Sequence, residues 1–379
     1  MSLATITRPT LAEIDLDNLA FNYHSVRDFV GEGLEFMAVV KADAYGHGAV
    51  ECARRLEAEG VEWFAVATVE EGIELRKARI VTPILVLGGI WPGQEFTLLN
   101  LDLTPVIFRL DQAEAFAAAA RQQGTVASVH VKIDTGMGRI GFRADETDLI
   151  ASALAEIDNL EVEGIMTHFA SADDLDSTDF TNKQIAAFAE AVSTFHSHGH
   201  RPKYVDMANS PGAIVHPLSR STMVRIGGLL YGLGGDVLPA GVDQPELRPV
   251  MSITSKIAQL KAIKAGESVG YGRMFIADRD TLIATVPIGY HDGLPRTRTN
   301  IGHFLVCGRP APIVGRVSMD WTTLDVTDVE GVSVGDDVTI VGSDGAEEIR
   351  AEDIARLTDT ISYEITCGIS QRVIRKYLP

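Results

Sequence analysis

The stretch Phe36–Gly48, FMAVVKADAYGHG, decides the fold class. A run of apolar residues ends in Lys41 and gives way to a polar loop carrying Gly46 and Gly48. Such continuous apolar runs are what parallel strands buried on both faces look like. The same form recurs outward along the chain, at Leu11–Ile14, Glu35–Val40, Trp63–Ala67, Ile84–Leu87, Leu103–Ile107, Ser128–Ile133, Glu161–Met166, Lys203–Met207 and Val224–Ile226. Between these runs lie segments with a 3.6-residue apolar period: Asn18–Val30, Gly48–Glu59, Asp111–Gln123 and Thr181–His196. About eight strand–helix units in one stretch fit a (β/α)8 barrel better than a doubly wound sheet. No GxGxxG follows the first strand, which weakens the dinucleotide-binding alternative.

Beyond about residue 245 the pattern changes. SITSKIAQLKAIKAGESVGYG, TLIATVPIGY, FLVCGRPAPIVGRVSMDWTTLDV and DDVTIVG alternate β-branched and polar residues between Gly, Pro and Asp turns. Helical periodicity returns only at Ala351–Leu357. The expected organisation is an α/β barrel over residues 10–240 and a β-rich unit over 241–379, which residues 1–9 could join.

Composition narrows the class further. The chain has 379 residues, 46% of them hydrophobic and 22% charged, so it can bury a sizeable core and is not a disordered chain. Its formal net charge of −19 repels a polyphosphate backbone, so nucleic acid is a poor partner. No apolar run reaches the ~18 residues of a membrane helix, and the first residues contain no secretory apolar core. Cys52, Cys307 and Cys367 form no close pair, which points to reduced thiols and a cytoplasmic protein. His196, His198 and His200 follow a helix in a polar turn and have no further ligand motif nearby, so no metal site is expected.

At the C-terminal end of a barrel strand a side chain faces the pocket, and Lys41 is so placed. A lysine pressed against apolar strand residues loses its ammonium form readily, and its free amine can form a Schiff base. The stretch KADAYGHG also resembles the pyridoxal phosphate (PLP) attachment motif of the alanine racemase family. The resemblance continues in order through KIDTGMGRIGF (Lys132–Phe142), THFASAD (Thr167–Asp173), ANSPGA (Ala208–Ala213), VRIGGLLYG (Val224–Gly232), VGYGRMF (Val269–Phe275), VPIGYHDGLPR (Val286–Arg296), GRVSMD (Gly315–Asp320) and YEITCGISQRV (Tyr363–Val373). It covers nearly the whole chain and agrees with a barrel followed by a β-rich domain.

The resemblance implies that Lys41 carries PLP and that Tyr271, supplied by the partner of a homodimer, is the second catalytic base. It implies cofactor contacts from Tyr45, His168, Asn209, Ser210, Arg225, Gly227, Gly228 and Tyr363. Arg225 is expected at the pyridine nitrogen, where a guanidinium donates a hydrogen bond but does not hand over a proton. His168 is expected to brace it. A small amino acid would meet Arg139, the backbone of Met319 and the gate residue Tyr290. Lys132 matches a lysine that family members can carry as a carbamate. The implied reaction is interconversion of L- and D-alanine, supplying D-alanine for peptidoglycan.

Three positions depart from the family pattern: Gly228 for a larger apolar residue, Ser318 for a cysteine, and His291 for a smaller residue. A barrel decarboxylase of basic amino acids is disfavoured by Arg225, and a non-catalytic PLP carrier by the β-rich last third. A racemase of serine or another small amino acid stays open on sequence alone.

Overall fold

The computed structural model describes residues 8–379. Eight parallel strands form the barrel: β2 (Glu35–Val39), β3 (Trp63–Val66), β4 (Ile84–Val86), β5 (Leu103–Ile107), β6 (Ala127–Asp134), β8 (Leu160–Met166), β9 (Tyr204–Ala208) and β10 (Met223–Ile226). A two-residue strand, β7 (Phe142–Arg143), lies against the end of β6. The barrel closes through parallel pairing of β10 with β2, where Arg225 stands opposite Met37. Nearly every residue of these strands is buried, as the unbroken apolar runs require. The intervening helices start and stop by local chemistry. Thr68 and Glu71 form a capping box ahead of helix Val69–Lys77, and Gly124 ends helix Leu110–Gln123 in a left-handed conformation.

Leu11–Asp15 (β1) is a strand, but not of the barrel. It lies between β11 (Met251–Lys256) and β21 (Ile374–Leu378), antiparallel to the first and parallel to the second. The strand's own sequence gives the physical reason. Residues Leu11, Glu13 and Asp15 are half-buried while Ala12 and Ile14 are buried, a two-residue alternation that suits a sheet with one face on the core. Residues 1–7, part of the segment considered for this second unit, lie outside the described residues. Arg8 donates to the Asp292 carboxylate and to the carbonyl of Arg372.

The second unit is β-rich. One sheet runs β17 (Arg309–Pro312), β16 (His303–Val306), β19 (Asp337–Asp344), β11, β1, β21, with β20 (Glu347–Ile349) on β19. A three-stranded sheet joins β12 (Gln259–Ile263), β15 (Thr281–Val286) and β18 (Thr322–Asp325), and β13 (Ser268–Val269) forms a hairpin with β14 (Phe275–Ile276). Its helices are Ala351–Thr358 and Ser362–Cys367; the second packs on the loop that follows β2.

Candidate active site

Lys41 stands just past the C-terminal end of β2, at the head of an unusual turn. Ala42, Asp43, Ala44 and Tyr45 all have φ of 53° or 54°, one turn of left-handed helix built from L-residues. Each such residue costs roughly 1–2 kcal/mol relative to the right-handed form, so the surroundings must hold the turn. The carboxylate of Glu71 accepts from Ala42 N (2.7 Å) and Ala67 N (2.6 Å). Asp43 accepts from Ala49 N at 2.7 Å. The Gly46 carbonyl takes two N–H groups of Arg375 at 3.1 Å each. Gly46 (φ 84°) passes so close to Thr366 that a Cβ there would run into its carbonyl. The turn carries Lys41 to the barrel mouth. Burial, then the Arg139 and Arg225 cations, holds its ammonium below the ordinary lysine value.

Arg225 projects from β10 and is almost fully buried. Its Nη1 donates to Asp206 Oδ2, and its Nη2 donates to the Thr167 carbonyl and to His168 Nδ1, both at 3.1 Å. Nε–H and one N–H of Nη1 are the donors that these contacts leave over. Burial and four cations, Arg225, Lys132, Arg139 and Lys41, drive His168 down to about 2. His168 is therefore neutral and accepts from the arginine.

Next to Arg225 the chain forms an oxygen-rich cradle. Asn209 caps the short helix Ser210–Val215 by accepting from Gly212 N at 3.0 Å. Ser210 Oγ accepts from Gly227 N at 2.9 Å, bringing the two ends of β9 and β10 together. A Cβ on Gly227 would meet the Tyr45 hydroxyl, and one on Gly228 the Tyr363 hydroxyl and ring. That second contact accounts for glycine at 228: a larger residue would displace Tyr363. The Tyr45 and Tyr363 rings meet edge to face, 5.1 Å between centroids, and burial raises both phenols, keeping them as O–H donors.

The candidates Arg139, Tyr271, Tyr290 and Met319 are exposed within the single chain. Arg139 is exposed on the loop 135–141, whose amides Gly136 N and Gly138 N bond to Asp134; its charge is felt by Lys41, Lys132 and His168. Tyr271 is 73% exposed on the β13–β14 hairpin. Tyr290 and Met319 stand together: Tyr290 N donates to the Ser318 carbonyl (2.9 Å) and His291 N to the Met319 carbonyl (3.1 Å). Ser318 closes this turn, its hydroxyl donating to the Trp321 carbonyl at 2.8 Å. Asp292 is fully buried and accepts from Gly289 N at 2.9 Å, fixing the Tyr290 loop from beneath. Sequence reading passed over Asp206, Glu71 and Thr167. Asp206 left a visible signal, a lone carboxylate inside the apolar run YVDMA.

A desolvated lysine, a fixed guanidinium and a ring of hydroxyl and amide donors at the mouth of a parallel barrel define an enzyme built around a phosphorylated heterocyclic cofactor. Residues 14–234 match the alanine racemase N-terminal domain and residues 250–377 the alanine racemase C-terminal domain. The chain belongs to the alanine racemase family. An alanine racemase of Geobacter sulfurreducens is 46% identical over 98% of both chains. The solved alanine racemase of Clostridium difficile 630 superposes with a TM-score of 0.91 at 38% identity, covering 99% of this chain and 97% of that one. A Bartonella henselae alanine racemase structure with covalently bound pyridoxal phosphate has a TM-score of 0.87 at 29% identity, over 98% of this chain and 99% of that one. The residues here fit the same group. Lys41 supplies an amine, Nε–H of Arg225 a donor for a ring nitrogen, and the Ser210–Gly227–Gly228 cradle a place for an anion that a Cβ would fill.

Proposed function

We propose that the protein is a PLP-dependent racemase that interconverts L- and D-alanine, acting as a homodimer whose two sites each use residues of both subunits. The observation that carries this reading is the gathering of Lys41, Arg225 and the cradle in one pocket while Tyr271 stands 73% exposed on the other unit. PLP, when bound, withdraws electrons and makes the substrate Cα–H acidic. The residues of the chain do the rest. Lys41, its ammonium disfavoured, takes or gives the proton on one face of Cα. Tyr271 of the partner subunit serves the opposite face, because one fixed base cannot reach both. Arg225 would donate a hydrogen bond to the ring nitrogen of the cofactor without yielding a proton, so the group would be a weaker electron sink there and side reactions would be limited. Tyr45, Ser210, Gly227, Gly228 and Tyr363 would hold the phosphate, with Asn209 capping the helix behind them and His168 bracing Arg225.

Arg139 and the partner's Met319 amide are the carboxylate donors, and Tyr290 narrows access to small side chains. The exposed apolar residues Met274, Ile276, Met319 and Trp321, between 46% and 56% accessible, support a partner on the face that carries Tyr271. We divide the chain functionally near residue 240, with β1 assigned to the second unit. No helix among the described residues is long and apolar enough to cross a membrane, and the three cysteines are free, so we place the protein in the cytoplasm, where it would supply D-alanine for peptidoglycan.

A chiral assay of the purified protein with L- and D-amino acids tests the reading. Equal approach to the racemate from either alanine enantiomer is expected. Lys41→Ala should abolish turnover and remove the visible absorbance of bound cofactor. Preference for another amino acid over alanine, or an unchanged visible band in the variant, would overturn it.

A further inference from the structure

Asp292 is fully buried in the β-rich unit, and segments distant in sequence meet on it. Its Oδ2 accepts from Gly289 N at 2.9 Å, closing the single turn Tyr290–Asp292. Its Oδ1 is paired with Arg8 and, at 3.4 Å, with Nε of Arg372. Its main-chain carbonyl accepts from Ser370 N at 3.0 Å. A carboxylate taken out of water is tolerated only with cationic and N–H partners of this kind.

The turn above Asp292 is also gripped through its backbone. A Cβ on Gly289 would run into the carbonyls of Ser318 and Met319, and one on Gly293 into the carbonyl of Gly368. The Tyr290 turn is therefore sandwiched between the Ser318–Met319 turn and the segment 368–372. Arg372 spans both sides of that sandwich. While its Nε faces Asp292, its Nη2 lies 2.8 Å from Oδ1 of Asp320, the residue that follows Met319. A planar guanidinium can serve two carboxylates with divergent N–H groups, which the point charge of an ammonium does less well. Arg8 turns elsewhere, to the carbonyls of Pro287 and Arg372. The side chains of Arg372 and Asp320 are 37% and 46% accessible, so the outer half of the link adds little to stability. What the link fixes is a distance, that between Tyr290 and Met319.

We propose that Arg372 is a positioning residue for the substrate: by joining Asp292 beneath Tyr290 to Asp320 beside Met319, it sets the width between the gate and the carboxylate-binding turn, and with it the size of side chain admitted. The proposal rests on the roles given to Tyr290 and Met319 above. Without Arg372 the buried carboxylate still has Arg8 and Gly289 N, so the turn survives. The Met319–Asp320 turn, however, loses its tie to it. A substrate would then meet a looser pocket, with its carboxylate held less firmly and its side chain less confined, while Lys41 and Tyr271 are untouched.

Steady-state kinetics of the full-length holoenzyme with alanine and with 2-aminobutyrate, one methylene larger, test this. In Arg372→Gln the KM for alanine should rise about tenfold while kcat stays within about threefold, because binding is weakened and the bases are not. Preference for alanine over 2-aminobutyrate in kcat/KM should fall by about tenfold. Asp320→Asn, which cuts only the outer half of the link, should move both quantities the same way, and Arg372→Lys should restore part of the loss. Parental KM and preference in the folded Arg372→Gln and Asp320→Asn proteins would overturn the proposal. So would a fall in kcat with unchanged preference, which is what a merely structural role gives. Thermal unfolding checks the fold of each variant, and should Arg372→Gln not fold, Asp320→Asn decides. Tyr290→Ala separates the two readings: a parental preference in that variant would count against Tyr290 as the gate, whereas a changed one together with an indifferent Arg372→Gln would count against the link alone.

Discussion

Arg225 can only donate hydrogen bonds, and each neighbour is fixed in state by that single property. His168 must offer a lone pair at Nδ1, so its proton is on Nε2, and the cations around it keep it neutral. Deeper in the barrel, His130 of β6 stacks with Tyr204 and meets Trp63, and Gly164 leaves room for its ring. Burial drives His130 down to about 3 and His47, which accompanies the Lys41 turn, down to about 4. An unfolded histidine titrates near ~6.5, so below that pH the unfolded chain binds protons that the folded one refuses. The stability each contributes is complete above pH ~6.5 and lost as pH falls toward its folded value, at about 1.4 kcal/mol per pH unit. Urea unfolding of the parent and of His130→Gln between pH 7.5 and 5 measures this. The variant should show a shallower slope by one proton; equal slopes would mean that His130 is charged in the folded protein.

Among the elements, the barrel strands were legible because a strand buried on both faces must be apolar throughout, as FMAVV and WFAV are. The left-handed turn was not. Ala42–Tyr45 has ordinary right-handed propensities, and only contacts from Glu71, Thr366 and Arg375, distant in sequence, explain its handedness. Local pattern carries no trace of such contacts. β1 resembles a barrel strand for a related reason: Leu11, Ala12 and Ile14 make LAEID look like another short apolar run, and its alternation shows itself only when Glu13 and Asp15 are weighed against Ala12 and Ile14. Gly46→Ala tests the turn. Its positive φ and the Thr366 carbonyl leave no space for a methyl group, so stability should fall by at least about 1–3 kcal/mol and cofactor affinity with it. Thermal unfolding and PLP titration read both effects, and a variant with parental values would show that the turn adapts.

For the whole molecule, the motifs of the first 240 residues could be gathered into one pocket from sequence because barrel strands deliver their C-terminal ends to one mouth. The positions of Tyr271, Met319 and Tyr290 followed no such rule, and within one chain they stand on a face of the β-rich unit. Subunit complementation examines their role. Inactive Lys41→Ala and Tyr271→Ala proteins, unfolded and refolded together, should regain activity through mixed dimers holding one intact site. Mixed dimers without activity would refute the sharing of sites. The turn at Lys41 also bears on the order of events in synthesis. Its handedness depends on Thr366 and Arg375, near the end of the chain, and Tyr363 and Tyr377 close over Gly228 and Gly48. A ribosome exposes the barrel long before these residues exist. The nascent barrel can close its strands and bury its core while Lys41 still rides on a loop without its final hand. The catalytic pocket then takes shape after the barrel, completed by a segment synthesised well over a hundred residues later.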